Sequence, residues 1–297
     1  MKPYLLLVFT CLASITLHAQ QDPLYAQYFN NPILINPAFA GSTERLFAGL
    51  AYRTQWSGIE GGPTTFNFNS HIAVADNKVG AGVIVAQDQL GEFKTSHYGG
   101  AFAYRIKMEN TTFSFGMHLG FVQYSTNLKG VEVLNPDPRF APFTKTTFNT
   151  GVGILLKNDR YTVGLSAPHF LPNSISQGGE EVQLYSQNYY AYGGYLFHLN
   201  ERIEFKPSAL LRLTKGTPLS ADVNMNVTFN RLYTAGLFTR NLNTYGVLLQ
   251  FVFNNARLSY VFELPGKGSA LNFNTHELGL ALSLSVLQSH DRINTGL

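Results

Sequence analysis

The sequence predicts an all-β fold: one antiparallel outer-membrane β-barrel of roughly fourteen strands, preceded by an N-terminal segment that lies in the periplasm or plugs the barrel. Three observations lead there. Apolar and polar residues alternate along most of the chain. Charged residues make up only 13% of it, against about 25% in an average soluble domain, too few to keep a large wet surface hydrated. Short Asn- and Asp-rich joints take turns with longer ones, the organisation of a barrel with one trimmed end and one elaborated end.

Residues 1–19 read as a secretory signal peptide. Lys2 supplies the positive start, Leu5 to Leu17 the apolar stretch, and Leu17-His18-Ala19 a small-residue cleavage point before Gln20. The stretch is short for a membrane-spanning helix. Cys11, the only cysteine, lies inside it behind Val8-Phe9-Thr10, which is not a lipoprotein context. Cleavage therefore leaves a chain without disulfides or thiol chemistry. It also removes Lys2, leaving 20 basic and 18 acidic residues, a balance that does not point to nucleic acid.

Residues 20–44 hold the stretch LYAQYFNNPILINPAFAGS, which is apolar enough to want burial. Pro32 and Pro37, each preceded by Asn, exclude a helix through it and break the ladder of a central strand. Unpaired backbone cannot face lipid, and Leu24, Tyr25, Tyr28, Phe29, Ile33, Ile35 and Phe39 are poorly suited to water. Two places remain, the barrel mouth as a partial plug or a periplasmic partner. The plug is preferred because an intrachain site is always available. Tyr25, Tyr28, Phe29, Pro32, Pro37 and Phe39 are the candidate contacts.

Strands fill residues 45–287. From Leu219 the residues Ala221, Val223, Met225, Val227 and Phe229 alternate with Ser220, Asp222, Asn224, Asn226 and Thr228, so one face is oily and the other wet. Ile203 to Thr214, Thr112 to Phe121 and Glu277 to Val286 repeat the pattern. The expected strands lie near 45–53, 64–74, 79–88, 94–107, 111–124, 146–157, 160–167, 188–198, 201–214, 217–229, 231–240, 243–254, 256–264 and 275–287. A soluble β-sandwich alternates too, but joint lengths argue against it. Every second joint is tiny, as at Ala75-Asp76-Asn77-Lys78, Asn158-Asp159, Asn200, Asn230 and Asn255, whereas 54–63, 125–145, 168–187 and 265–274 are long. In outer-membrane barrels the short side is periplasmic, which places both termini there, including a polar tail at 288–297.

No enzyme chemistry is expected. Ser70 and His71 are adjacent on one strand and point to opposite faces, so they cannot pair as nucleophile and base. Gly266-Lys267-Gly268-Ser269 lacks phosphate-loop spacing, and the eight histidines lack metal-ligand spacing. No cofactor is expected. Inward-facing Glu204, Lys206, Arg212, Asp222 and Arg257 either line a pore or form a network that fills and stiffens the lumen. Trp56 reads as a membrane-interface anchor or, with Arg53, as a partner contact at the outer end of the first strand. Arg139, Phe140 and Phe143 in the longest joint carry the same two readings.

The opening QDPLYAQYFNNPILINPAFAGS resembles the mature start of the PorP/SprF family of type IX secretion-system membrane proteins. The resemblance continues through YRTQWSGIEGGP (52–63), NKVGAGV (77–83), FAYRIK (102–107), TVGLSAPHFL (162–171), KPSALLR (206–212), KGTPLSADVNMN (215–226) and THELGLAL (275–282), and so covers essentially the whole mature chain. It implies an outer-membrane accessory barrel of Bacteroidota-type bacteria, serving export or surface attachment of particular proteins, gliding adhesins among them. Implied partners are the C-terminal domain of a secreted surface protein, periplasmic type IX components and outer-membrane lipid. The alternative is a passive pore or small-molecule transporter. Family chains commonly stop on an aromatic at the end of the last strand, whereas this one continues to Leu297, so the usual insertion signal is not in its usual place.

Overall fold

The computed structural model describes residues 27–126, 142–171, 173–177, 180–185, 187–266 and 273–285. The expected signal peptide, the tail 288–297, Tyr25, Arg139 and Phe140 lie outside them. No helix among the described residues is long and apolar enough to cross a membrane.

The strands are β1 (Leu46–Thr54), β2 (Thr64–Val74), β3 (Val79–Leu90), β4 (Phe93–Lys107), β5 (Thr112–Thr126), β6 (Phe143–Lys157) and β7 (Tyr161–His169). Next come β8 (Asn173–Gln177), β9 (Glu180–Tyr185), β10 (Asn188–Tyr195), its short extension β11 (Phe197–His198) and β12 (Ile203–Thr214). The last five are β13 (Ser220–Phe229), β14 (Tyr233–Arg240), β15 (Thr244–Phe253), β16 (Ala256–Glu263) and β17 (Thr275–Leu284). Sequence neighbours pair throughout the wall. β1 joins β17 from Leu46↔Leu284 to Thr54↔His276, and β10 joins β12 across the excursion that holds β11. The result is a closed 14-strand antiparallel barrel. Closure leaves no long open edge in hydrocarbon, where an unpaired backbone group costs several kcal/mol.

The alternation read from the sequence is the inside–outside pattern of the wall. On β13, Asn224 is 1% exposed and its neighbour Met225 54%. Two exposed aromatic girdles bound the apolar outer band, as in outer-membrane barrels. Tyr104, Tyr195, Phe229, Tyr233 and Phe253 mark the short-turn end, and Tyr52, Tyr98, Phe121, Phe148, Tyr189 and Tyr245 the long-loop end.

The short turns work as their composition suggests. Ala75, Asp76 and Asn77 all have positive φ, as do Asn230 and Arg231, a backbone that asparagine tolerates better than most residues. Asn158 Oδ1 accepts from the Arg160 and Tyr161 amides, and Asn200 Oδ1 from those of Arg202 and Ile203, which closes both hairpins through the side chain. Two expectations need correction. The 168–187 joint holds the hairpin β8–β9, a sheet of its own, where a plain loop was expected. The strand expected at 146–157 begins at Phe143.

Candidate functional site: the lumen and its two mouths

Residues 27–42 are packed against inward faces of the wall. Two single 3-10 turns, Pro32–Leu34 and Pro37–Phe39, follow the two Asn residues. Proline at the first position of such a turn loses no hydrogen bond, because that amide has no partner inside the turn. Asn36 serves both the turn and the wall. Its Oδ1 accepts from the Ala38 amide at 2.9 Å, while its Nδ2 donates to the carbonyls of Ile154 at 2.9 Å and Leu165 at 3.3 Å.

Other wall side chains hold the backbone of the segment. Arg105 donates to Gly41 O at 2.9 Å, Lys157 to Ser42 O at 2.9 Å, Arg257 to Asn30 O at 2.9 Å and Ser166 to Ile35 O at 2.6 Å. The Gly41 amide donates to His71 Nδ1 at 3.2 Å, and Ser259 Oγ to Gln27 Oε1 at 2.5 Å. Asn224 donates to the Tyr28 hydroxyl. Burial, reinforced by Asp222 and Tyr192, raises the pKa of that phenol and keeps it neutral.

The apolar side chains of the segment, Tyr28, Ile33, Ile35, Phe39 and two alanines, form one buried cluster with Ile84, Ala101, Leu155, Tyr192 and Leu210 from the wall. Burial of each large side chain in this set is worth about 1.5–3 kcal/mol. Glycine makes the close approach possible. A Cβ added at Gly80 would stand 2.0 Å from Ala40 O, and one at Gly116 2.1 Å from Ala38 N.

The half of the lumen toward the long loops is polar. Arg53 makes a two-pronged contact with Glu263 at 2.9 and 2.8 Å and a further bond to Glu277 at 3.1 Å. Arg240 reaches Asp222 at 3.1 Å and stands 3.9 Å from Glu263, so two guanidiniums face three carboxylates with their side chains almost fully buried. Nearby, Asn149 lies between the Nδ1 atoms of His118 at 3.5 Å and His169 at 3.2 Å. Among the described residues no group of three or more His, Cys, Asp or Glu side chains is arranged to hold a metal ion.

These placements sort the candidates named from sequence. Tyr28 and Phe39 share one buried cluster with Phe29 against it, Pro37 is buried beside Phe39, and Pro32 is half-buried at the head of the first turn. Arg53 does not reach the outer surface. At 2% exposure it belongs to the lumenal ion network, and its side chain is unavailable to a partner at the rim. Trp56 is half-buried in the β1–β2 joint with a left-handed φ of 54°. Phe143 packs against Val122 and Tyr124 at the start of β6. Ser70 bonds Phe47 O at 2.9 Å while His71 stacks on the Phe47 ring and takes the Gly41 amide, so the two side chains diverge. Glu263 and Glu277 were not singled out from the sequence. Their only signal was their position on the wet side of the alternation, and which cation they meet depends on barrel closure.

The sequence model of the family described as type IX secretion system membrane protein PorP/SprF matches residues 17–282. The chain belongs to the PorP/SprF family. Residues 27–42 and the whole described wall up to Leu282 thus fall within the part that defines a PorP/SprF protein. No curated protein sequence matches it. Among solved structures it resembles the Ralstonia pickettii toluene transporter TbuX, at 9% identity and TM-score 0.52, covering 85% of this chain and 93% of that one. It also resembles the CymD monoaromatic hydrocarbon channel, at 12% identity and TM-score 0.53, covering 88% and 94%. A Pseudomonas aeruginosa FadL homologue follows at 10% identity and TM-score 0.50, covering 84% and 92%. At such identities the likeness shows the fold alone. This PorP/SprF chain is therefore an outer-membrane β-barrel of a type IX secretion family.

Proposed function

We propose that the barrel is a non-enzymatic docking component of the type IX machinery, which holds or guides a secreted surface protein of adhesin type through that protein's C-terminal domain. The long-loop end faces the outside and grips the client. The short-turn end and both termini face the periplasm and link the barrel to components there. Residues 27–42 plug the lumen. The observation that carries this reading is the family membership taken with the packing of residues 27–42 on the inward faces of the wall. An occupied lumen leaves the two rims, not a channel, as the working surfaces.

The test is deletion of the gene in its native host, followed by a census of surface and culture-medium proteins. The expected result is loss from the cell surface of one large exported protein, with the remaining surface proteins unchanged. An unchanged census with altered uptake of small apolar or polar solutes would overturn docking in favour of transport.

A further inference from the structure

Four cations converge inside the short-turn mouth of the lumen. Arg105 near the end of β4, Lys157 at the end of β6, Lys206 near the start of β12 and Arg257 near the start of β16 come from strands spread around the wall. Arg105 is buried and the other three are half-buried. Three of the four hold the backbone of residues 27–42, through the carbonyls of Gly41, Ser42 and Asn30. Lys206, in register with buried Asn226, faces the same space. Lys157 feels the charges of Lys206 and Arg105, and Lys206 feels that of Arg257. Among the described residues Lys206 makes no hydrogen bond and no ion pair.

Neighbouring carboxylates do not balance this group. Glu44 pairs with Arg105 at 3.3 Å, and Glu44 and Asp159 both act on Lys157. Glu204, two residues before Lys206 on the same strand face, is engaged by Arg231 at 3.2 Å and His198 at 3.4 Å. Four cations against Glu44 and Asp159 leave two positive charges over. The backbone carbonyls satisfy donors without cancelling charge. An oxyanion among the cations would relieve their repulsion and give Lys206 an acceptor through charge-assisted hydrogen bonds. Lys157 and Arg257 each spend one donor on a carbonyl, out of three and five, so both keep donors for such a ligand. The space lies inside the wall, apart from bilayer headgroups, so a soluble ligand suits it. A phosphate group gathers about −1.5 to −2 charges and three acceptor oxygens in one place. That matches an excess of two charges better than the single charge of a peptide carboxylate.

We infer that the short-turn mouth of the lumen holds a binding site for a soluble phosphate compound, with Lys206 as its anchor and Lys157 and Arg257 beside it. Arg105 adds its charge from the β4 side while it stays on Gly41 and Glu44. The ligand reaches the site from the short-turn side and binds with the segment still seated, because the carbonyls of Asn30 and Ser42 keep their own donors.

Calorimetric titration of pyrophosphate into the purified mature barrel, in detergent at low ionic strength and free of other phosphate, tests it. The expected result is saturable one-site binding with a Kd of about 1 mM or tighter. Lys206→Gln is expected to weaken it at least about tenfold, and Lys206→Arg, which keeps the charge, to retain it. Lys78→Gln, which removes an exposed cation from a short turn at the same end, is expected to bind as the wild type does. Pyrophosphate should also raise the unfolding temperature of the wild type and leave that of Lys206→Gln where it was. This second reading needs no variant to show that the wild type binds. No saturable binding by the wild type overturns the inference. So does equal binding by Lys206→Gln, or an equal loss in Lys206→Gln and Lys78→Gln, which would mean diffuse attraction by the rim. Tetraglutamate binding more tightly than pyrophosphate would overturn the phosphate assignment in favour of an acidic peptide.

Discussion

Replacing Arg53 with alanine is expected to destabilise the barrel by about 3–5 kcal/mol, the usual cost of leaving a buried ion without its partner. Arg53 bonds both Glu263 and Glu277, whose side chains are 5% and 2% exposed, and Arg240 reaches Glu263 only at 3.9 Å. The variant thus takes a guanidinium from two carboxylates in a poorly solvated part of the lumen. Urea unfolding of the barrel refolded into lipid vesicles reads the loss. Adding Glu263→Gln and Glu277→Gln to Arg53→Ala is expected to restore most of it, because neutral amides cost far less to bury than unpaired charges. A single variant within about 0.5 kcal/mol of wild type, the range of ordinary surface substitutions, would show that the network is well hydrated and adds little.

Deleting residues 27–41 is expected to turn a closed barrel into a conducting one. In planar bilayers the intact chain should give no open-pore steps, and the deletion variant should give steady ohmic steps like those of a general porin. The segment packs Tyr28, Ile33, Ile35 and Phe39 against the inward faces of the wall and bonds strands as far apart as β6 and β16 through Asn36 and Arg257. Its removal takes the Gly41 carbonyl from Arg105 and the Asn30 carbonyl from Arg257, but water then reaches both cations. The wall should survive, because its closure at β1–β17 and β10–β12 does not involve the segment. Equal conductance before and after deletion would remove the plug from the proposed function and strengthen the transport reading.

Much of the wall was legible in the sequence. The reason is physical: lipid outside and a polar lumen inside impose a period of two along the strands. Asn158, Asn200 and Asn230 marked turns because asparagine closes hairpins through its side chain or tolerates positive φ. In the apolar, proline-broken opening the two 3-10 turns begun by Asn-Pro are what such a sequence can form.

What stayed hidden depends on closure. Arg53 alternates with outward Tyr52 and so had to face inward, yet its proximity to Trp56 drew it toward the rim. Its real partners lie 210 and 224 residues away and become neighbours only when β17 closes on β1. That β6 pairs along its full length with β5 but only from Val152 to Lys157 with β7 was equally invisible, because periodicity shows where a strand is and not how far its neighbour accompanies it.

The central claim is that the N-terminal segment is seated inside a closed wall, and a cysteine pair tests it most directly. In the structure a Cβ at Gly153 would stand 2.1 Å from Asn36 Oδ1, which brings the side chains of Asn36→Cys and Gly153→Cys within disulfide reach. The only native cysteine, Cys11, lies in the expected signal peptide and leaves the background clean. Mild oxidation of native outer membranes is expected to cross-link the pair nearly completely in barrels that remain heat-modifiable. Two thiols that stay free under oxidant, both open to a membrane-impermeant maleimide in intact barrels, would contradict the account.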